Sequence, residues 1–210
     1  MKHSDALGIV PLLALVVLAS GCQTRLFPAD VMKGVQRQES FDFQGWRARS
    51  LMPSSNRETS QKVELGGQIL DVEPWPGGEL IVADQLPIVE HPKYGPAVPK
   101  EGMSKRGASS FAVSFTKPLH KTWLQPGNRF IVVGRTQGSR TVTVDGVLQQ
   151  EPYLVAQCIH LWKNQGNPIA SYPFETGAGY YPLPEDTFCT DDVTGEHNSG
   201  KVVRETPAPH

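Results

Sequence analysis

Among the residues of this chain that could do chemistry is a glycine-containing segment near its end. Residues 195–201 match the first seven positions of a phosphate-binding loop, Gly-x-x-x-x-Gly-Lys. Such a loop lies between a strand and a helix, and a Ser or Thr after the lysine holds Mg²⁺. Here Val202 follows Lys201, and the neighbouring residues are polar and lack a helical period. We therefore predict a solvated segment and no nucleotide site.

Nucleophilic and acid–base catalysis also lack a recognisable set of residues. A nucleophilic serine needs a positioned histidine and an orienting acid, and no serine lies in a Gly-x-Ser-x-Gly turn. Paired carboxylates could hydrolyse glycosides, but the candidates flank a predicted hairpin turn, where we expect them to face solvent: Asp71, Glu73, Glu79 and Asp84. The protein is therefore predicted not to be an enzyme.

A metal site is the third chemistry to consider. Cys158 and His160 alternate along one predicted strand, so they share a face. A zinc site built on such a pair needs a second local pair of ligands, whereas His91, His120 and Cys189 stand singly. We predict a packed or rim histidine, with no metal and no cofactor.

The amino terminus predicts export. Residues 9–18 form an apolar run of about ten residues, shorter than the ~18 that a membrane-spanning helix needs, so residues 1–21 are predicted to be a cleavable signal peptide. The run ends in Leu18-Ala19-Ser20-Gly21-Cys22, which resembles the lipobox of bacterial lipoproteins. In that resemblance, Cys22 becomes the acylated first residue. The alternative is an ordinary secretory signal that leaves Cys22 an unmodified thiol.

Acylation of Cys22 predicts a membrane anchor. Each buried methylene contributes about 0.8 kcal/mol, so two or three acyl chains hold a protein on a bilayer essentially permanently. Gln23 follows Cys22, and by analogy with enterobacterial lipoproteins the absence of Asp there favours the outer membrane. The predicted partner is outer-membrane lipid, and the protein is expected to face the periplasm.

The other two cysteines are an even pair in an oxidising compartment. A bond between Cys158 and Cys189 would close a loop of roughly 30 residues and stabilise the fold by about 3 kcal/mol. The alternative is two separate thiols, one in a strand and one in a loose tail. The sequence leaves both open.

Sequence patterns typical of β-strands occupy the middle of the chain. We predict a lipidated tether at 22–60 with one short helix at 29–36, a barrel domain at 61–184 and a disordered tail at 185–210. Gly66 and Gly67 predict a bulge or sharp coil in the first strand. Five or six strands without a helical period predict an all-β, OB-like barrel. The strand runs are 63–72, 79–89, 109–115, 128–135, 141–144 and 152–162.

Charge and aromatic residues narrow the choice of partners. Twenty Lys and Arg against 21 Asp and Glu give a formal charge of −1, so we expect no nucleic acid to bind. Trp75 and Trp123, with the loop at 91–107, could line a groove for a peptide, glycan or lipid, or could cap the core. The alternative function is therefore a periplasmic ligand- or glycan-binding module carried on the barrel.

Four segments follow the lipobox in a specific order: Leu65-Gly66-Gly67-Gln68-Ile69-Leu70-Asp71-Val72; Gly78-Glu79-Leu80-Ile81-Val82 with Leu86-Pro87; Pro126-Gly127-Asn128-Arg129-Phe130-Ile131-Val132-Val133-Gly134; and Tyr153-Leu154-Val155 through His160-Leu161-Trp162. This combination, over residues 62–163, resembles the Slp family of outer-membrane starvation-inducible lipoproteins. The resemblance implies an anchored envelope protein linked to starvation or stress, and it implies no catalytic residues. We expect a structural or interaction role with an unidentified protein or cell-wall partner.

Overall fold

The computed structural model describes the central part of the chain and its flanks, namely residues 25–52, 60–91, 95–99, 109–164 and 184–190. The predicted signal peptide, Cys22 and the tail beyond residue 190, including the segment at 195–201, lie outside these residues. Parts of the loop at 91–107 lie outside them as well.

Strands dominate the described residues, and the predicted all-β class is confirmed. A 3₁₀ turn at Gln38–Ser40 and a helix α1 at Phe43–Ser50 precede the strands. Among the described residues, no helix has the length and apolar character needed to span a bilayer. The strands are β1 (Lys62–Trp75), β2 (Gly78–Leu86), β3 (Ile88–His91), β4 (Gly95–Pro99), β5 (Ser110–Phe115), β6 (Arg129–Val144), β7 (Val147–Trp162) and β8 (Glu185–Cys189).

Six of the strands form a partly closed ring. Their order is β5-β2-β1-β6-β7-β8, with antiparallel neighbours, and β3 pairs separately with β4. A parallel pairing of β5 with β7, from Ala112 opposite Tyr153 to Ser114 opposite Val155, closes five of the strands into a ring. The predicted five- to six-stranded barrel is confirmed.

The two glycines of β1 allow close contacts across the ring. A Cβ on Gly67 would lie 2.6 Å from Cζ of Phe130, and one on Gly66 would lie 2.7 Å from the carbonyl oxygen of Leu86. The irregularity in the pairing of β1 with β2 falls just after the glycines, between Ile69 and Asp71. The glycine pair therefore makes room for the side chain of Phe130 and for strand β2, and β1 bends two residues later.

Helix α1 and the residues before it plug one end of the ring. Phe41, Phe43 and Trp46 are buried in the main core, and Trp46 has no exposed surface. The Trp46 ring lies 6.4 Å from that of Phe111 on β5. Asp42 caps the helix by accepting a hydrogen bond from the Gly45 amide. This part of the predicted tether is packed, because its three aromatic side chains fill the ring.

An N-terminal strap, defined here as residues 25–36, lies across the outer face of β6 and β7. Phe27 and Val31 are 4% and 1% exposed, and they pack in one cluster with Ile131, Val133 and Trp162. The strap ends where residue 36 forms a bridge with β1. It contains turns rather than the predicted helix at 29–36. The strap therefore holds the start of the described chain directly against the ring.

Strand β8 extends the sheet beyond β7. Residues 185–189, which were predicted to belong to the disordered tail, form this strand instead. The reason is tertiary, because Phe188 packs against the main core and Cys189 lies opposite Cys158 in the register of β7 and β8. Neither contact is local in sequence.

The hairpin of β6 and β7 runs past the ring and folds over the outer face of β2 and β5. The pairing shifts at residues 137–139, where the hairpin leaves the ring. Beyond that point Val142 and Val144 are buried in one cluster with Leu80 and Val82, which face away from the core. The hairpin therefore provides a second layer on this side of the ring.

Candidate functional site

The described residues place one histidine among groups that resemble a catalytic set. His160 Nδ1 lies 2.6 Å from the hydroxyl of Thr187, and its Nε2 lies 3.6 Å from Oε2 of Glu185. The same carboxylate oxygen accepts a hydrogen bond from the indole N–H of Trp162. The Thr187 hydroxyl donates to the carbonyl of Leu26, 3.1 Å away. Hydroxyl, imidazole and carboxylate thus lie in a row between β7, β8 and the strap.

The direction of these hydrogen bonds decides what the row can do. The single hydroxyl proton of Thr187 goes to the Leu26 carbonyl, so the hydroxyl accepts the Nδ1 proton of His160. A nucleophilic hydroxyl would have to donate its proton to the imidazole instead. His160 is also only 5% exposed. The arrangement therefore fastens β8 and the strap to β7, and it does not activate Thr187.

A buried ion pair joins α1 to the ring where β5 meets β7. Arg47 Nη1 lies 2.6 Å from Oε2 of Glu151, whose side chain is 1% exposed. The same guanidinium nitrogen donates to the carbonyl of Ser110 at the start of β5. The ion pair therefore holds α1 against the ring. Removing either partner would leave a buried charge without its counterion.

Two further charged side chains position loops. Arg129, at the start of β6, is 1% exposed and donates to the carbonyl of Pro99 at 3.0 Å. Arg37 at the end of the strap donates two hydrogen bonds, of 2.9 and 3.2 Å, to the carboxylate of Glu64 on β1. Both arginines thus connect segments outside the ring to its strands.

Cys158 and Cys189, for which the sequence left a bond and two separate thiols open, form a disulfide. The Cα atoms of Cys158 and Cys189 are 4.0 Å apart, and their sulfur atoms are 1.97 Å apart. Cys158 and His160 do share one face of β7 as predicted, yet the Cys158 sulfur is bonded to Cys189 and is no thiolate ligand. Within the described ranges, no group of three or more His, Cys, Asp or Glu side chains could hold a metal ion.

The two tryptophans predicted as groove residues lie in different clusters. Trp75, at the end of β1, packs with Tyr153 at a ring distance of 6.3 Å, and the guanidinium of Arg140 lies 5.2 Å from its ring centre. Trp123, in the loop between β5 and β6, packs against the main core and against Phe188. The described contacts therefore do not bring Trp75 and Trp123 to one groove.

The cluster around Trp123 combines an aromatic ring with a basic side chain. The Nζ atom of Lys163 lies 3.9 Å from the centre of the half-buried Trp123 ring. The ring of Phe188 lies 5.7 Å from that of Trp123 in an edge-on arrangement. Lys163 is held in place because its amide donates to the carbonyl of Pro184. This is a cation–π contact at the edge of the ring of strands.

A second basic group lies beside the strap. Lys62 and Arg135 are opposite each other in the pairing of β1 and β6, and the Lys62 ammonium donates to the carbonyl of Lys33. Partial burial and the positive charge of Arg135 lower the pKa of Lys62, while Asp30 opposes that change. Like charges are therefore close together on this side of the ring.

The hairpin tip carries the most exposed large apolar side chains of the described residues. Asp145 and Gly146 form its turn with positive φ angles of 49° and 80°. Val147 and Leu148 follow the turn and are 64% and 73% exposed. The remainder of the hairpin buries its valines, so the tip is the part that presents apolar surface to solvent.

The sequence did not predict that the strap and the plug, which consists of residues 41–50, pack against the ring. Their signals are short, with Phe27 and Val31 spaced four residues apart and Phe41, Phe43 and Trp46 close together. These spacings are consistent with a single buried face, but isolated prolines and charges around them favoured a loose segment.

Comparison with known proteins gives one match. The model of the family described as "Outer membrane lipoprotein Slp family" matches residues 19–187. The match covers most of the chain, begins inside the segment that resembles a lipobox and ends within β8. No curated protein and no solved structure matches the chain.

Proposed function

The chain belongs to the Slp family of outer membrane lipoproteins, and on that premise we propose that acyl chains on Cys22 anchor it after removal of residues 1–21. The ring then faces the periplasm. Its role is structural, through contacts with an envelope protein or the cell wall, and it contributes to adaptation to starvation or stress. It is not an enzyme.

The use of the polar residues carries the non-enzymatic part of this proposal. The row at His160 and the pair of Arg47 with Glu151 each hold a segment to the ring, and their hydrogen bonds leave no activated nucleophile among them. Because these polar side chains already have structural partners, their presence can be explained without a substrate. This supports a protein that acts through its surface.

The folded-back hairpin favours an interaction role over the ligand-binding alternative. OB-like barrels bind ligands on the face of the second and third strands of the barrel, between two loops. Here β2 and β5 occupy those positions in the chain, and Val142 and Val144 of the hairpin cover their outer face. The most exposed large apolar side chains of the described residues are at the tip, Val147 and Leu148.

Membrane fractionation tests the anchor. Wild-type protein should band with the outer membrane on a sucrose gradient, and the Cys22→Ala variant should lose that position because it lacks acyl chains. If both proteins are recovered free in the periplasm, the anchor at Cys22 is wrong.

A tip variant tests the interaction role. In starved cells that lack the native protein, Val147→Ser/Leu148→Ser should reach the outer membrane but fail to restore survival of starvation. Thr141→Ser/Gln150→Ser, at paired positions of the same hairpin, is the control and should restore survival. Full restoration by the tip variant would contradict a role for this surface.

A further inference from the structure

The strap fixes how far the ring can lie from an anchor at Cys22. Leu26 follows Cys22 by four residues, and four residues span at most about 14 Å when extended. The Leu26 carbonyl accepts the hydroxyl proton of Thr187, so the strap is attached to β8 at this point. If the proposed acylation holds, β8 lies close to the bilayer, because no long tether separates them.

The residues that pack on the opposite face of β8 from this attachment point are basic and aromatic. On β8, Phe188 follows Thr187 and packs on Trp123, over whose ring lies the ammonium of Lys163. Lys121 is exposed two residues before Trp123. We define the basic end as residues 116–128 together with Lys163.

Charge on the basic end has one sign along its loop. Residues 116–128 contain two lysines and a histidine but no Asp or Glu. Strand β8 carries two carboxylates: Asp186 accepts a hydrogen bond from the amide of Thr187, and Glu185 accepts one from the indole N–H of Trp162. The basic end therefore presents positive charge although the chain as a whole carries −1.

We propose that the basic end is the surface with which the ring rests on the membrane, with Lys121 and Lys163 on the phosphate groups of anionic phospholipids. This inference rests on the proposed anchoring at Cys22. Trp123 contributes an aromatic ring whose exposed part lies at the level of the headgroups, where tryptophan is favoured. Lysine stems can pack on apolar surface while their ammonium groups reach the headgroups, and the ammonium of Lys163 lies beside the Trp123 ring, 3.9 Å from its centre.

Vesicle binding of the mature chain without acyl groups tests this surface. Residues 22–210 carrying Cys22→Ser should co-sediment with phosphatidylcholine vesicles that contain phosphatidylglycerol and not with pure phosphatidylcholine. Each lysine at an anionic surface contributes about fivefold in affinity, so Lys121→Gln/Lys163→Gln should bind about 25-fold more weakly.

The control removes two charges from the other basic group. Lys33→Gln/Arg135→Gln has the same net charge as the test variant and should bind like the parent chain. Lys121→Gln alone, at an exposed position, should still weaken binding about fivefold, which guards against loss of the fold in the double variant.

Four results would overturn the inference. Equal weakening by both double variants would mean attraction by net charge, and equal binding to both kinds of vesicle would exclude phosphate recognition. If the wild type fractionates with the outer membrane but the unacylated chain ignores anionic vesicles, this surface is wrong while the anchor stands. If the acylated wild type itself fails to fractionate there, the anchor and this inference both fail.

Discussion

Replacing Arg47 with methionine is expected to destabilise the protein by about 3 kcal/mol. Arg47 lies 2.6 Å from Glu151, and their side chains are 22% and 1% exposed. Breaking a buried ion pair costs about 3–5 kcal/mol because one charge stays buried without its partner. The partial exposure of Arg47 places this pair at the lower end of that range. Arginine and methionine have similar helix propensities, so α1 itself should change little.

The free energy of unfolding in urea measures the effect. The unacylated mature chain with its disulfide intact is unfolded at neutral pH, and the midpoint and slope give the change in stability. Arg49→Met is the matched control in the same helix. Its partner Asp42 is 3.8 Å away and both side chains are exposed, so it should cost at most about 0.5 kcal/mol.

A double variant separates the ion pair from packing. Arg47→Met/Glu151→Leu removes both charges, so it should recover most of the stability that the single variant loses. The reasoning is refuted if Arg47→Met costs less than about 1 kcal/mol or no more than Arg49→Met. It is also refuted if the double variant is less stable than Arg47→Met alone, since the loss would then not come from a stranded charge.

Three further predictions use the same unfolding measurement. The double variant Cys158→Ala/Cys189→Ala should lose about 3–4 kcal/mol, because their bond closes a loop with a sequence separation of 31; an intact mass unchanged by reductant would contradict the bond. Gly67→Ala should cost about 1–3 kcal/mol because its Cβ would lie 2.6 Å from a core phenylalanine, whereas Gly138→Ala, with open space, should cost less than about 1 kcal/mol. Trp46→Ala should cost about 3–5 kcal/mol, since its side chain is completely buried; a neutral result would mean that the plug does not stabilise the ring.

The strands were predictable because their signals are local. Alternation in residues such as Phe111, Val113 and Phe115 reflects a face buried against the core, and all three are fully buried. The family resemblance was available for the same reason, since its segments coincide with strands of the ring. The number of strands and their predicted bending indicated a barrel. The sequence did not identify β5 and β7 as the strands that close it.

The candidate site was only partly predictable. Cys158 and Cys189 were singled out because they are the two cysteines that remain once Cys22 is assigned to the lipobox-like segment. The environment of His160 was not visible, because its partner Thr187 is 27 residues away along the chain and Leu26, which bonds to Thr187, is 161 residues from Thr187. The sequence identified Trp75 and Trp123 as aromatic residues that could share a groove. The packing of the hairpin and of β8 places them in different clusters.

What the sequence by itself determined is the class of fold and the expectation of an anchor, because strand periodicity and a lipobox-like segment are each written within a few consecutive residues. Only the tertiary structure decided that the strap and α1 lie on the ring, that β8 extends the sheet, and that the hairpin covers its outer face. Each of these depends on side chains far apart in sequence whose burial is favourable only when the ring has closed. The surfaces left for a partner follow from that packing.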